Sequence, residues 1–191
     1  MRPLSLLARL VPLAAAASVA ACSGGGTPPE PRLTPAQVAG VYNVCSLQFQ
    51  PTQAALPAAN LLATVINPSP PAPKQAPSLT LSGSVAGYQL LYTRRSDNFT
   101  QDLRNPLALG TEDIVLSVPD EAASEARSEL LLPGQFRLRF SDNPRTLTAR
   151  PEFFYTVTRA NYARAAGISE DGLAERITGV ISGVFTVGSC A

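Results

Sequence analysis

The sequence predicts a mainly β protein: an antiparallel barrel of about eight strands with a short helix near the C-terminus. Three observations lead there. Apolar and polar residues alternate with period two in many segments after Gly40. Turn residues separate those segments at spacings typical of barrels and sandwiches. Cys45 and Cys190 stand at the two ends of the same stretch. A bond between them requires the first and last strands to be neighbours, as they are in a closed barrel.

The elements follow in chain order. Thr34-Pro35-Ala36-Gln37-Val38-Ala39 reads as a short helical turn at most, with Thr34 as cap and Pro35 at the first helical position. Gly40 breaks it. Val41 to Gln50 reads as a strand with Val41, Cys45, Leu47 and Phe49 on one face and Ser46, Gln48 and Gln50 on the other. Asn43 and Val44 blur that alternation. Leu56 to Ile66 admits a short helix begun by Pro57, or a loop ending in a strand at the β-branched Thr64-Val65-Ile66. Asn67 to Pro77 holds five prolines and Lys74, which excludes helix and sheet and predicts a polyproline-like surface loop.

Leu79 and Leu81 alternate with Ser78, Thr80 and Ser82, and Gly83 to Gly87 makes a turn. Tyr88, Leu90 and Tyr92 then alternate with Gln89, Leu91 and Thr93. Ser96-Asp97-Asn98 is a turn cluster, Phe99 to Leu103 a short strand, and Ile114, Leu116 and Val118 mark another. Asp120 to Glu129 reads as a solvated loop or as a helix with Glu121, Glu125 and Glu129 along one acidic side. Gln135 to Phe140 carries the clearest pattern, with Phe136, Leu138 and Phe140 opposite Arg137 and Arg139. Ser141-Asp142-Asn143-Pro144 turns the chain into Thr146–Ala149 as a hairpin. Phe153–Arg159 and Gly179–Val187 complete the strands. Between these two a helix is expected, capped by Ser169, with Glu170 and Asp171 in its first turn and Gly179 after its end. Ile168 and Leu173 have the spacing of a hydrophobic staple around that cap.

The chain has 191 residues, enough for one domain plus appendages. Charged residues make up 15% of it and the formal net charge is +1, which offers no footprint for nucleic acid. Arg2 and Arg9 flank the start, an apolar run follows from Leu10 to Ala17, and small residues lead to Cys22. Such a run is too short to cross ~30 Å of hydrocarbon as a helix, and it has the layout of a secretory signal. The quartet Val19-Ala20-Ala21-Cys22 resembles the bacterial lipobox at every required residue type. That resemblance implies a signal peptide over 1–21, a diacylglyceryl group on the Cys22 thiol, and cleavage that makes Cys22 the N-terminus. Acyl chains contribute ~0.8 kcal/mol per buried methylene, so two or three hold a protein on a bilayer without a membrane-spanning helix. The partner implied is therefore a lipid bilayer, reached through acylated Cys22. A serine just after the cysteine, here Ser23, resembles lipoproteins sorted to an outer membrane, which implies a periplasm-facing location in a cell with two membranes.

Ser23-Gly24-Gly25-Gly26 and then Pro28, Pro29, Pro31 and Pro35 make residues 22–39 read as a tether, flexible at first and extended later. Its contour from Ser23 to Ala39 reaches at most ~55 Å at ~3.3 Å per residue. The third segment, 40–191, is the β domain. Loss of Arg2 and Arg9 with the leader turns the formal net charge from +1 to −1. Nothing in that balance attracts an anionic surface; the anchor is the acyl group.

With Cys22 acylated, Cys45 and Cys190 remain, and an oxidising compartment favours an even pair as a disulfide. Two buried free thiols are the alternative. No C-x-x-C and no histidine is present to build a redox or metal site, so no cofactor and no metal is expected.

Gly40-Val41-Tyr42 stands where lipocalins have Gly-x-Trp, and the succession of parts resembles the lipocalin-like superfamily. Tyrosine replaces the usual tryptophan, and a strand follows the C-terminal helix where the family usually has one before it. The resemblance implies an eight-stranded barrel, an aromatic ring packed across its bottom, a link between the N-terminal region and the C-terminal tail, and a cup for a small hydrophobic ligand. The candidate ligand-binding residues are Tyr88, Tyr92, Phe136 and Phe140. Those same strand faces, with Leu90, Leu138 and Phe153, serve equally as a filled core, and barrels of this size show both outcomes.

Catalysis is not expected. The absence of histidine removes the commonest general base, and Lys74 sits in a proline-rich loop, a poor place to neutralise an amine. Gly167-Ile168-Ser169-Glu170-Asp171 lacks the second glycine of a nucleophile elbow. The near carboxylates Asp97 and Asp102, or Glu112 and Asp113, fit solvated turns better than a hydrolase pair. The sequence thus predicts a membrane-anchored envelope lipoprotein that binds or carries a small hydrophobic ligand. The alternative is a packed β domain serving as a structural or interaction partner in the cell envelope.

Overall fold

A computed structural model of the chain describes residues 32–66, 77–84, 86–94, 100–118 and 128–190. The segment read as a signal peptide, Cys22, most of the segment read as a tether, the proline-rich stretch 67–76, residues 95–99 and the acidic stretch 119–127 lie outside the described residues.

The expected fold class is observed: mainly β, a closed antiparallel barrel of eight strands, with a short helix near the C-terminus. Helix α1 (Pro35–Val38) leads into β1 (Gly40–Pro51), followed by the two-residue strands β2 (Ala59–Asn60) and β3 (Val65–Ile66). Next come β4 (Ser78–Leu81), β5 (Gly87–Arg94), β6 (Thr100–Leu109), β7 (Asp113–Ser117), β8 (Gln135–Asp142) and β9 (Arg145–Ala149). The chain ends with β10 (Tyr155–Thr158), helix α2 (Arg159–Ala166) and β11 (Arg176–Val187).

The barrel wall runs β1-β4-β5-β6-β7-β8-β9-β11 and closes by pairing of β11 with β1 from Tyr42–Val187 to Pro51–Gly179. Three short strands are additions to this wall. β2 pairs the far end of β1, β3 pairs the end of β5, and β10 pairs the first residues of β11. Inward-facing residues on every wall strand form one continuous core that includes Tyr42, Phe49, Leu79, Leu90, Ile114, Leu138, Leu147 and Phe185.

Several details correct the expectations from sequence. On β1, Tyr42 and Val44 point inward and Val41 is 55% exposed, the reverse of the expected face. A register shift between Val44 and Ser46 then returns Leu47 and Phe49 to the interior. A β-bulge inserts one unpaired residue and so changes phase, which is why Asn43 and Val44 blur the alternation. Cys45 occupies that bulge and leaves the inward face.

The helix expected from Ser169 onward is absent. Ser169 forms an exposed turn in which its hydroxyl accepts from the Asp171 amide at 3.1 Å, and Arg176 already begins β11. The real helix precedes it, capped by Thr158, whose hydroxyl accepts from the Asn161 amide, and ended by Gly167 at φ +67°. That left-handed conformation suits glycine, which has no Cβ to clash.

β6 runs far past the expected Leu103, through Pro106 to Leu109. Leu56–Ile66 is a loop carrying β2 and β3, not a helix. The end of the segment read as tether also packs on the barrel: Val38 is buried, and the Leu33 amide donates to the Gly110 carbonyl at 2.8 Å. Helix α1 itself matches expectation, with a capping box between Thr34 and Gln37 and proline in its first turn.

Candidate functional site

The barrel interior is the first place to look for a ligand chamber, and side chains occupy it. Among the described residues a void of about 10 Å³ lies in the core, lined by apolar groups only, among them Leu47, Leu90, Leu116, Leu132, Phe136 and Phe185. That is room for about one water molecule, and a wholly apolar lining gives water no partners. Of the four candidate ligand-binding residues only Phe136 reaches the void, stacked at a tilt on Phe185 with centroids 6.0 Å apart. Tyr88 is buried and donates its hydroxyl to the Ser117 carbonyl at 2.7 Å. Tyr92 is buried elsewhere in the core, and Phe140 lies half-buried near Arg145. Burial holds the Tyr88 hydroxyl at a pKa of about 12, against a smaller lowering effect from Asn105.

Inward-facing glycines help to fill the interior. At Gly183 of β11 a Cβ would stand 2.7 Å from the Ser46 carbonyl oxygen and 2.8 Å from Leu47 Cδ1. At Gly179 it would meet the Phe49 ring and, at 2.5 Å, the Gln50 carbonyl oxygen. The space that these glycines vacate is taken by Leu47 and Phe49 of the neighbouring strand.

Described side chains are hydrogen-bonded across both ends of the barrel. At the α1 end, the Tyr42 hydroxyl donates to the Val38 carbonyl at 2.8 Å, and the Arg145 guanidinium donates to the Gln37 carbonyl. Burial raises the Tyr42 pKa, with Arg145 opposing. At the α2 end, Phe49 meets Tyr155 edge-on at 5.4 Å and Tyr162 at 6.0 Å. Tyr155 donates to the Leu131 carbonyl at 2.6 Å and Tyr162 to the Pro57 carbonyl at 2.7 Å. Burial pushes both hydroxyls above the ordinary phenol range. Helix α2, the 51–58 loop and the 130–133 segment are thereby tied over the opening.

The ends of the wall are joined covalently. Cys45 and Cys190 form a disulfide with Cα atoms 5.2 Å apart, beside the β1–β11 seam.

The carboxylates weighed as catalysts are engaged in ion pairs. Asp102 accepts a fork from Arg104, with its shortest contact at 2.9 Å, and this hydrogen bonding holds its carboxyl below the usual range. Glu112 lies 3.6 Å from Arg139, and Asp113 pairs with Arg150. Asp97 and Lys74 fall outside the described residues. Among the described residues no group of three or more His, Cys, Asp or Glu is placed to hold a metal ion. No helix among them is long and apolar enough to cross a membrane.

The outer surface offers more space than the interior. A shallow depression of about 440 Å³ lies over β4–β6 beside Gln89 and Arg104. Two hollows of about 330 and 460 Å³ flank β10 and share Pro133, Gly134 and Tyr155. The first is rimmed by Arg137, Arg150, Phe153 and Phe154, with Phe154 66% exposed. The Arg137 guanidinium stands over the Phe153 ring, 4.6 Å from its centroid. Sequence reading placed Phe153 on a strand face and did not mark this surface. The adjacent aromatic pair Phe153-Phe154 was the available signal.

No protein-family model, curated protein or solved structure matches this chain.

Proposed function

We propose that the protein is an acylated envelope lipoprotein whose packed barrel is an interaction module, displayed from a bilayer by its N-terminal cysteine. The single observation that carries this reading is the core void of only about 10 Å³ among the described residues. Pockets that hold a drug-sized molecule run to about 300–1,000 Å³, far more than this void offers. The resemblance to lipocalin-like proteins then extends to strand number and closure, and the cup is replaced by packed side chains. The lipobox at Val19–Cys22 supports the anchor, and Ser23 supports an outer membrane facing the periplasm in a cell with two membranes. The disulfide between Cys45 and Cys190 agrees with an oxidising compartment outside the cytoplasm. A catalytic role has no support in the ion-paired carboxylates.

Carriage of a small hydrophobic ligand is the second reading, favoured by the wholly apolar lining of the void. It requires lining side chains such as Leu130 and Leu132 to swing outward and enlarge the void.

The test uses the full chain produced in a bacterium. Intact-mass analysis of the wild type and Cys22→Ser should show an acyl increment on the wild type alone. Photo-crosslinking from the barrel surface in the native envelope should recover one stoichiometric protein partner. Native mass spectra that instead retain a bound apolar molecule besides the anchor would overturn the interaction reading in favour of carriage.

A further inference from the structure

We infer that the slot between β8 and β10 is a strand-addition site for an extended acidic peptide segment of a partner protein. This rests on the reading of the barrel as an interaction module and names the class of partner it would take.

Among the described residues, the slot is a place where the wall lacks a strand. β9 ends at Ala149, the chain leaves the wall through Arg150–Phe154, and β10 returns to pair with β11 alone. The first residues of β8 therefore face β10 across the two joined hollows. The upper end is pinned by the Arg150 amide, which donates to the Arg137 carbonyl at 3.0 Å.

Among the described residues, β10 presents an open edge to this gap. The Arg159 amide donates to the Glu175 carbonyl on the β11 side, and successive amides on a strand turn to opposite edges. The amides of Thr156 and Thr158 consequently face the slot, and neither has a backbone partner among the described residues. Exposed edges are usually guarded by charge, proline or a bulge. Tyr155-Thr156-Val157-Thr158 carries none of these. Four residues of strand span about 13 Å, and main-chain bonds along such an edge are the basis of peptide capture by strand addition.

The chemistry of the rim selects the peptide. Among the described residues, Arg137 and Arg150 line the hollow and no carboxylate does. Arg150 is already bound to Asp113 and Glu152. Arg137 has no carboxylate partner among the described residues and is held over Phe153. A guanidinium fixed on an aromatic face, beside the exposed Phe154, suits a peptide that alternates apolar residues with a carboxylate.

The experiment is fluorescence anisotropy of the full chain with a short labelled peptide of alternating valine and threonine around a central glutamate. The same peptide with a central lysine is the control. The glutamate peptide should bind about tenfold tighter, and Arg137→Glu should reverse that preference. Thr156→Pro removes a slot-facing amide and no ladder bond, as proline on an edge strand permits, and should weaken binding about fivefold at unchanged Tm. Should Thr156→Pro fail to fold, the Arg137→Glu reversal decides alone. Equal affinity for the two peptides, or indifference to Thr156→Pro in a folded variant, overturns the proposal. A dimer of the chain that Thr156→Pro dissociates also overturns it, by making a second copy the occupant. A missing crosslinked partner in the envelope, with peptide binding intact, strikes the broader functional reading and leaves the slot standing.

Discussion

Glu129 and Arg164 meet beneath helix α2 with the carboxylate and guanidinium 3.1 Å apart and the Glu129 side chain only 6% exposed. Arg94, at the end of β5, reaches the same carboxylate oxygen at 3.4 Å. A buried carboxylate loses its hydration, and two guanidiniums offset that loss while tying α2 to the end of β5. The Arg164 guanidinium also donates to the Ser128 carbonyl, which extends the tie. Glu129→Ala should therefore lower stability by about 2 kcal/mol, less than for a fully buried pair because both arginines keep some contact with water. Glu129→Gln should cost less, since it retains an acceptor. Urea unfolding midpoints of the two variants check this, and a Glu129→Ala variant as stable as wild type would refute the tie.

The disulfide closes a loop with a sequence separation of 145 residues. In the chain-entropy model such a closure restrains the unfolded chain by about 5 kcal/mol. The folded state needs no such help to hold the seam, because β1 and β11 pair from Tyr42–Val187 to Pro51–Gly179. Cys45→Ser with Cys190→Ser should thus keep the native fold while losing about 3–5 kcal/mol of stability. Circular dichroism and denaturant titration separate the two effects. Non-reducing peptide mapping of the exported protein should recover the Cys45–Cys190 peptide pair.

The glycines of β11 make a sharper test of interior packing. Gly179→Ala puts a methyl against the Phe49 ring and the Gln50 carbonyl, and backbone cannot give way as a side chain can. Overpacking of this kind typically costs about 1–3 kcal/mol. Phe49→Leu in the same chain should recover part of the loss by making room, which a double-mutant cycle reads as coupling. Strictly additive losses would mean that the two residues do not share that space.

How much of this was legible beforehand depends on the range of the interaction that decides each feature. Strands such as Gln135–Phe140 declare themselves because one face meets the core and the other meets water, a local pattern. The closure of the barrel was also readable, since Cys45 and Cys190 mark its two ends. The phase of β1 was not, because the bulge at Cys45 is set by pairing with β11, far away in sequence. The helix was misplaced for a different reason. Ser169-Glu170-Asp171 has the composition of a helix start, and the same side chains serve equally well in a turn. The true signals, Thr158 as cap, alanine-rich Arg159–Ala166 and Gly167 beyond it, lay just upstream.

The interior and the slot were beyond local reading altogether. Tyr88, Tyr92, Phe136 and Phe140 point inward in a hollow barrel or a filled one alike. What fills this one is the packing of large residues on β1, Leu47 and Phe49, into the space beside Gly183 and Gly179 of β11. The slot arises because β10 pairs with β11 and not with β8, and no residue of β10 announces that choice.

Alkaline pH should expose the same packing through its phenols. Burial raises the hydroxyls of Tyr42, Tyr88, Tyr155 and Tyr162 above the ordinary value, with Tyr88 at about 12. In the unfolded chain a tyrosine titrates near 10. Between about pH 10 and about 12 the native state therefore retains protons that the unfolded chain has released, and stability falls as pH rises. The contribution is fully present below pH 10. Tyr88→Phe should cost about 1 kcal/mol at neutral pH through loss of its bond to Ser117, yet should make the decline above pH 10 shallower. Unfolding midpoints across that range, followed beside the near-ultraviolet absorbance of tyrosinate, give the comparison. Parallel declines for wild type and Tyr88→Phe would show that the Tyr88 hydroxyl is as hydrated in the folded barrel as in the open chain.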